Sequence, residues 1–173
     1  MIIRKAREGD VTAVARIYEK IIDAEEKGMG KTGWKRNVYP TEGTAVEALA
    51  KGELFVMEDS GDVVASAKIN REQVPVYSNC KWEHDAPDCE VMVLHTLVVD
   101  PDKVGNGYGT KFVSFYESFA LENECRYLRM DTNEKNVTAR KLYNSLGYSE
   151  PGIVPCDFNG IEGVHLVCLE KRL

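Results

Sequence analysis

The sequence predicts a single α/β domain spanning residues 1–173. Segments with apolar residues at helical spacing alternate along the chain with short β-branched runs, and a glycine-rich turn follows the longest apolar run. No repeat, low-complexity tract or linker divides the chain. The length of 173 residues fits the roughly 100–200 residues of one domain, and a hydrophobic content of 43% is enough for a sizeable core.

The amino-terminal part is predicted to contain one strand and two helices. Residues 2–4 form a short strand, and Asp10 is placed to cap a helix whose apolar positions between residues 11 and 22 follow the 3.6-residue period. Residues 44–51 form the second helix. The segment between the helices, residues 23–40, contains three glycines and a proline, which predicts a mobile loop or a broken helix.

The middle of the chain is predicted to contain a hairpin, a long insertion and the central strand. The β-branched runs at residues 53–58 and 63–69 flank the turn-forming residues 59–62 and should pair. Residues 71–89 have no periodicity, and loops of that length are uncommon unless they are functional. Val91–Val99 is an apolar run interrupted only by His95 and Thr96, which places this strand at the centre of the sheet.

Two helices and three strands complete the prediction. In chain order they are a helix from Thr110, a strand over residues 126–132, a helix capped by Asn136 and ended by Gly147, and strands over residues 153–158 and 164–171. Apolar residues recur at helical spacing in both helices, and the last two strands flank a glycine-containing turn. The chain therefore ends in a hairpin.

The charge balance argues against nucleic acid or an anionic membrane as a partner. The chain has 22 Lys and Arg against 28 Asp and Glu, a net charge of −6, and a pI of about 5.2. Its longest apolar runs are far shorter than the ~18 residues that a membrane helix needs. Only Ile2 and Ile3 precede charges of both signs at the start, so no signal peptide is predicted and the expected compartment is the cytoplasm.

The cysteines predict reduced thiols and no metal site. Their number is odd and they are widely spread: Cys80, Cys89, Cys125, Cys156 and Cys168. Cys80, His84 and Cys89 offer three ligand atoms within a short segment, but no CxxC pair or fourth ligand is near them. We expect these cysteines to be apolar packing groups, without a bound metal.

The turn after the central strand is predicted to bind an anion. Gly105, Gly107 and Gly109 stand at alternate positions, so the backbone can turn tightly and approach a ligand closely. Free N–H groups and the positive end of the following helix attract phosphate oxygens. The turn matches neither the Walker loop nor the G-x-G-x-x-G pattern. Taken alone, it equally fits a tight connection, and a nucleotide-binding domain of another fold stays open as an alternative.

Two segments flanking this turn form a joint pattern. Leu97-Val98-Val99-Asp100-Pro101 precedes the turn, and Asn136-x-x-Ala139-x-x-Leu142-Tyr143-x-x-Leu146-Gly147-Tyr148 follows it. Together with the order of predicted elements over nearly the whole chain, this pattern resembles the GNAT superfamily of acetyl-CoA-dependent N-acetyltransferases. The resemblance implies a mostly antiparallel mixed sheet of about seven strands with about four helices on both faces. One departure is Val104, which stands where the family usually has Gln or Arg.

The resemblance implies acetyl-CoA as the co-substrate. Its pyrophosphate would be bound by the turn residues Val104, Gly105, Asn106, Gly107, Tyr108, Gly109 and Thr110, mainly through backbone N–H groups. Its pantetheine arm would pair with the backbone of Leu97, Val98 and Val99, and the Leu97 amide would face the thioester carbonyl. Asn136 would hydrogen-bond the same arm in addition to capping its helix.

The reaction needs two proton transfers, because a protonated amine must lose a proton before it attacks and the departing thiolate is best protonated. Tyr143 matches the family tyrosine that contacts the coenzyme sulfur, although its spacing alone also fits a core aromatic. His95 is expected to share a strand face with Leu97 and resembles the histidine base of a subset of the superfamily. Glu90, Glu72 and a bound water stay open as alternative bases.

We therefore expect an N-acetyltransferase that moves acetyl directly from acetyl-CoA to a primary amine of a small molecule. Direct transfer is expected because no cysteine has both a nearby histidine and a helix amino terminus. Residues 22–40, residues 71–89 and the last hairpin should form the acceptor side, and their acidic residues favour a cationic amine. The alternatives are acetylation of a protein or peptide amino terminus and a catalytically silent acyl-CoA-binding module. The resemblance also allows a homodimer.

Overall fold

A computed structural model describes all 173 residues, which form one seven-stranded sheet with four helices. The strands are β1 (Ile2–Lys5), β2 (Leu54–Asp59), β3 (Asp62–Asn70), β4 (Val91–Val99), β5 (Tyr127–Asn133), β6 (Ser149–Phe158) and β7 (Ile161–Arg172). The helices are α1 (Val11–Glu26), α2 (Glu42–Ala50), α3 (Tyr108–Glu122) and α4 (Val137–Ser145). This order confirms the predicted elements. None of the helices combines the length and apolar character that crossing a bilayer requires.

The sheet separates in its middle. The strand order is β1-β2-β3-β4-β5-β7-β6, and every neighbouring pair is antiparallel except β4 and β5, which confirms a mostly antiparallel sheet with β4 at its centre. The register between β4 and β5 covers only Val91–Leu94 of β4, ending at the pair Leu94 and Met130. Both strands continue beyond that pair. A gap between β4 and β5 is the result.

Helices cover both faces of the sheet. One face, which we name the α3/α4 face, carries a core of 20 buried residues that includes Phe112 and Tyr116 of α3 and Tyr143 of α4. The opposite face, which we name the α1/α2 face, is covered by α1 and α2 at one end and by residues 71–89 at the other. Alternate residues of each strand belong to opposite cores, as the pleat requires.

Helix ends differ from the prediction in one place. The side chain of Asp10 does not cap α1, because it accepts hydrogen bonds from the Arg7 N–H and from Arg4, each at 2.7 Å. Asn136 does cap α4, since its Oδ1 accepts from the Ala139 N–H at 3.2 Å. The two predicted caps differ because Asp10 has a cationic partner, Arg4 of β1, that competes for its carboxylate.

The insertion at residues 71–89 is irregular, as predicted, and it is anchored to the sheet by a buried ion pair. Arg129 and Glu170 are 5% and 1% exposed, and Arg129 Nε donates to Glu170 Oε1 at 3.0 Å. The N–H groups of Glu83 and His84 donate to the other Glu170 oxygen, and Arg129 also donates to Gln73. Glu83, His84 and Glu170 therefore form a structural anchor, which fixes the insertion as a wall beside β4 and β5.

Candidate active site

A cavity of ≈ 780 Å³ lies where β4 and β5 separate. Asn136, Ala139 and Tyr143 line it from the α3/α4 face, and Trp34 and Tyr39 line it from the opposite face. The cavity is therefore continuous through the gap in the sheet. A molecule bound beside α4 can reach a second molecule bound on the α1/α2 face.

The structure brings together one group of the predicted site residues in this cavity. Six of them line the cavity: His95, Leu97, Val98, Val99, Asn136 and Tyr143. The turn from Val104 to Thr110 lies outside the cavity and leads into the amino terminus of α3. The residues predicted to contact the thioester end of the coenzyme thus line the cavity, and those predicted to contact its phosphates lie outside it. An extended coenzyme would require such a separation.

The turn has the backbone conformation of an anion site. Gly105 and Gly107 have φ values of +88° and +71°, a region that favours glycine. The first backbone hydrogen bond of α3 runs from the Lys111 N–H to the Gly107 carbonyl at 3.0 Å. The N–H groups of Tyr108, Gly109 and Thr110 precede it and have no intrahelical partner. These donors are available to phosphate oxygens.

The residues of the turn differ in their contacts and in their exposure to solvent. The Tyr108 hydroxyl donates to Asp59 Oδ2 at 2.7 Å, so this ring packs into the protein and only the Tyr108 backbone faces the turn. A Cβ at Gly109 would lie 3.1 Å from Leu142, so glycine there permits close packing of α3 on α4. Val104 is 69% exposed. An apolar side chain at this position offers no hydrogen-bond donor to an anion.

Substitution of Gly107 tests the turn. Gly107→Ala should weaken acetyl-CoA binding roughly tenfold, because the loss of one hydrogen bond to a charged phosphate is worth about 1.5 kcal/mol. Gly28→Ala is the matched control: Gly28 has φ +72°, and, as at Gly107, no atom lies within 4 Å of its Cβ position. Isothermal titration calorimetry of both variants would show the effect. Equal coenzyme affinity in the two variants would contradict this role of the turn.

A bulge at Thr96 changes the face on which His95 lies. Thr96 has φ +53°, and the pairing of β3 with β4 shifts by one residue at this point. His95 pairs with Lys68, whereas Leu97 packs on the core of the α3/α4 face. The expectation that His95 and Leu97 share a face is therefore wrong. The inserted residue reverses the alternation between them.

Hydrogen bonds fix the tautomer of His95. The Asn70 amide nitrogen donates to Glu53 Oε2 at 2.9 Å, so its oxygen faces His95 Nε2 at 2.8 Å and must accept the proton of that nitrogen. Nδ1 then carries the lone pair. Burial, aided by the nearby Lys68 ammonium, lowers the pKa of His95 to about 4. The imidazole is neutral at pH 7 but is a weaker base than an ordinary histidine.

This lowered pKa predicts a pH-dependent stability. In the unfolded chain His95 binds a proton near pH 6.5, and in the folded protein only near pH 4, so stability should fall as the pH decreases between these values. His95→Gln, whose amide can still donate to Asn70, should reduce the loss by up to about 1.4 kcal/mol for each pH unit. Denaturant unfolding of both proteins at pH 7 and pH 5 measures this difference in the free energy of unfolding. Identical pH dependence in both proteins would contradict the lowered pKa.

The two glutamates proposed as alternative bases lie in different places. Glu72 lines the cavity, but Lys68 lies 3.5 Å from it and lowers the pKa of its carboxyl group. Glu90 lies before the first residue of β4, at the end of the strand opposite the gap, and does not line the cavity. The lowered pKa makes Glu72 a weaker base at neutral pH, and the position of Glu90 keeps it away from the cavity.

Asp131 is a candidate base that the sequence analysis missed. It is the first residue of β5 beyond the pairing with β4, and it lines the cavity. Its Oδ2 accepts a hydrogen bond from the Tyr77 hydroxyl at 2.7 Å. Burial raises the pKa of Asp131 to about 6. The signal in the sequence is an acidic residue that directly follows the strand segment Leu128-Arg129-Met130.

Tyr143 presents a protonated hydroxyl to the cavity. Its side chain is 6% exposed and its ring meets Tyr148 edge to face, with 6.1 Å between the ring centroids. Burial, together with the Asp131 charge, raises the pKa of Tyr143 well above its usual range. No protein group bonds its hydroxyl, whereas the Asn136 side chain is already bonded at both ends, to Ala139 and Thr132. Tyr143 is therefore free to donate a proton to a bound molecule.

The fold is shared with solved acetyltransferase structures. A GNAT family acetyltransferase from Streptococcus agalactiae is 23% identical and superposes with a TM-score of 0.84, covering 99% of this chain and 95% of the other. The yncA acetyltransferase from Salmonella typhimurium, solved with acetyl-CoA, is 19% identical with a TM-score of 0.70, covering 99% and 93%. At these identities the likeness shows the fold.

Sequence comparison identifies the family. The uncharacterised N-acetyltransferase YhfO of Bacillus subtilis is 22% identical over 157 residues, covering 87% of this chain and 91% of YhfO. An uncharacterised N-acetyltransferase of Methanocaldococcus jannaschii is 29% identical over 101 residues, which are 58% of this chain but only 45% of that protein. Residues 15–148 match the sequence model of the acetyltransferase (GNAT) family. This chain belongs to the acetyltransferase (GNAT) family.

Proposed function

We propose that the protein transfers an acetyl group from acetyl-CoA directly to the primary amine of a small molecule. The observation that carries this proposal is the gap between β4 and β5, through which Tyr143 on one face and Asp131 on the other line one cavity. The structural neighbour from Salmonella typhimurium with acetyl-CoA bound supports the choice of coenzyme.

The chain has groups suited to both ends of the coenzyme. The free N–H groups at the start of α3 would hold the pyrophosphate. Leu97, Val98 and Val99 line the cavity and have no partner strand on the β5 side, so their backbone can pair with the pantetheine arm. When bound, the coenzyme supplies a thioester, whose carbonyl carbon is the electrophile.

Asp131 would act as the general base. With a pKa of about 6 it is ionised at pH 7 and attracts the ammonium group of the acceptor. It removes one proton from that nitrogen, and the freed lone pair attacks the thioester carbonyl carbon. The new N–C bond forms and the C–S bond breaks, and the bonding electron pair leaves on sulfur. We place Asp131 ahead of His95 because a base works best when its pKa lies near the operating pH.

Tyr143 would act as the general acid. Its hydroxyl proton passes to the departing sulfur, which leaves as a neutral thiol. The strongly raised pKa of Tyr143 keeps that proton in place until the sulfur accepts it. After attack the nitrogen loses its second proton, which restores the phenolate directly or through solvent, and Asp131 releases the first proton to solvent.

The cysteines support direct transfer without an acetyl-enzyme intermediate. None of the five lines the cavity. Burial raises the pKa of four of them, which are Cys80, Cys125, Cys156 and Cys168. A nucleophilic cysteine needs the opposite shift.

Incubation with acetyl-CoA and a set of primary amines tests the proposal. We expect one free thiol for each acetylated amine, measured by thiol titration and mass spectrometry. We also expect acetyl-CoA to raise the melting temperature in a way that ATP does not. Coenzyme binding without any acetylated amine would support the silent acyl-CoA-binding module instead. Stabilisation by ATP alone would indicate a nucleotide-binding protein.

A further inference from the structure

We propose that the acceptor is a small primary amine with an apolar, aromatic-sized body and no carboxylate. This inference rests on the proposed acetyl transfer and concerns the part of the cavity on the α1/α2 face. The argument depends on which walls surround Asp131 and on which charges in the cavity already have partners.

One wall is an aromatic cluster that is fixed to β4. Trp34 meets Tyr18 and Tyr39 edge to face, with ring centroids 6.3 and 6.0 Å apart. The Tyr39 hydroxyl bonds the Thr96 hydroxyl at the bulge of β4. The segment between α1 and α2 therefore lies against the central strand, and its rings face the cavity. Aromatic walls of this kind favour a flat apolar ligand body.

Six more residues of the cavity wall on this face are apolar. They come from the insertion and from the hairpin of β6 and β7, and their side chains are Val74, Val76, Phe158, Ile161, Val164 and Leu166. Asp131 thus has apolar neighbours on these walls, and the other carboxylates that line the cavity belong to Glu47, Glu72 and Asp157. Asp131 can pair with one ammonium group. A polyamine has no flat apolar body to pack against these walls, so it makes less use of them than an aromatic amine does.

The cations of the cavity are already paired. No arginine lines the cavity, and its two lysines are Lys51, at 3.1 Å from Glu47, and Lys68, which lies between Glu53 and Glu72 at 3.8 and 3.5 Å. An acceptor carboxylate would find no free cation, and it would lie in the same cavity as Asp131 and Asp157, neither of which has a cationic partner. An α-amino acid is therefore a poor acceptor.

Matched acceptor pairs test this inference. We would compare phenylethylamine with phenylalanine, tryptamine with tryptophan, and add phenylalaninamide, in which the carboxylate is neutral. We expect kcat/KM to be roughly 10²-fold higher for each amine than for its amino acid, and the amide to recover most of that loss. Equal or better use of the amino acids would overturn the inference while leaving acetyl transfer established. Absence of any acetylated product would instead overturn the proposed function.

Two further acceptors separate the remaining substrate classes. Spermidine and a peptide with an amino-terminal phenylalanine should both be poorer acceptors than phenylethylamine. Faster acetylation of the peptide would assign the cavity to polypeptide amino termini. Faster acetylation of spermidine would show that the apolar walls do not select the acceptor. Either result would overturn the inference.

A pair of variants at Val76 tests the charge argument. Val76→Lys places a cation in the cavity wall, and Val76→Met adds similar bulk without charge. The lysine variant should use phenylalanine better relative to phenylethylamine, by about tenfold, because the substrate carboxylate gains a partner. The methionine variant should keep the wild-type ratio. If both variants change the ratio equally, size rather than charge selects the acceptor and the inference is wrong.

Discussion

Asp131→Asn should lower kcat about 10²–10⁴-fold, the range typical of a lost general base, and leave acetyl-CoA affinity unchanged. Asparagine keeps the side-chain volume and can still accept the hydrogen bond that Tyr77 donates to Asp131. It cannot take a proton from the acceptor ammonium. Steady-state thiol release and coenzyme titration measure the two quantities.

Stability separates this catalytic role from a structural one. The folded protein holds the Asp131 proton up to about pH 6, above the ordinary value of 3.8, so its contribution to stability is lost as the pH rises through 6. At pH 8 Asp131→Asn should therefore be at least as stable as the wild type. Asp85→Asn, at an exposed position of the insertion outside the cavity, is the matched control and should keep its rate. Equal loss of stability and rate in Asp131→Asn would favour a structural role.

Tyr143→Phe should lower kcat roughly 10²-fold with little change in coenzyme affinity, because the ring keeps its packing and only the proton donor is removed. Tyr148→Phe is the control. Tyr148 belongs to the same core, its hydroxyl is buried without a partner, and it does not line the cavity. It should keep the wild-type rate. A wild-type rate in Tyr143→Phe, or equal losses in both variants, would assign Tyr143 to packing alone.

Much of the fold could be predicted because its signals are local. The apolar run Val91–Val99 is the central strand residue for residue, and Asn136 caps α4 where its helical spacing begins. Gly107 has the positive φ that its turn requires. Each of these signals depends on a few neighbouring residues. Local chemistry was therefore enough to predict the glycine turn between β4 and α3.

The reacting end of the site depends on long-range pairing, so the sequence indicated it only in part. The bulge at Thr96 results from the register with β3, and it places His95 on the face opposite to Leu97. Asp131 has its raised pKa because it is buried under an insertion whose Tyr77 lies 54 residues away in the chain. Neither contact leaves a periodic pattern in the sequence.

The dependence of kcat/KM on pH tests the central claim, that Asp131 accepts the proton of the amine, most directly. The wild type should lose activity below about pH 6, which gives its pH profile an acid limb. His95→Gln should keep this limb. The hydrogen bond from Tyr77 lowers the pKa of Asp131. Tyr77→Phe removes this bond, so it should raise that pKa and move the loss of activity to higher pH. Asp131→Asn should abolish the limb. A limb that persists in Asp131→Asn, or that disappears in His95→Gln, would contradict this assignment and return the base to His95.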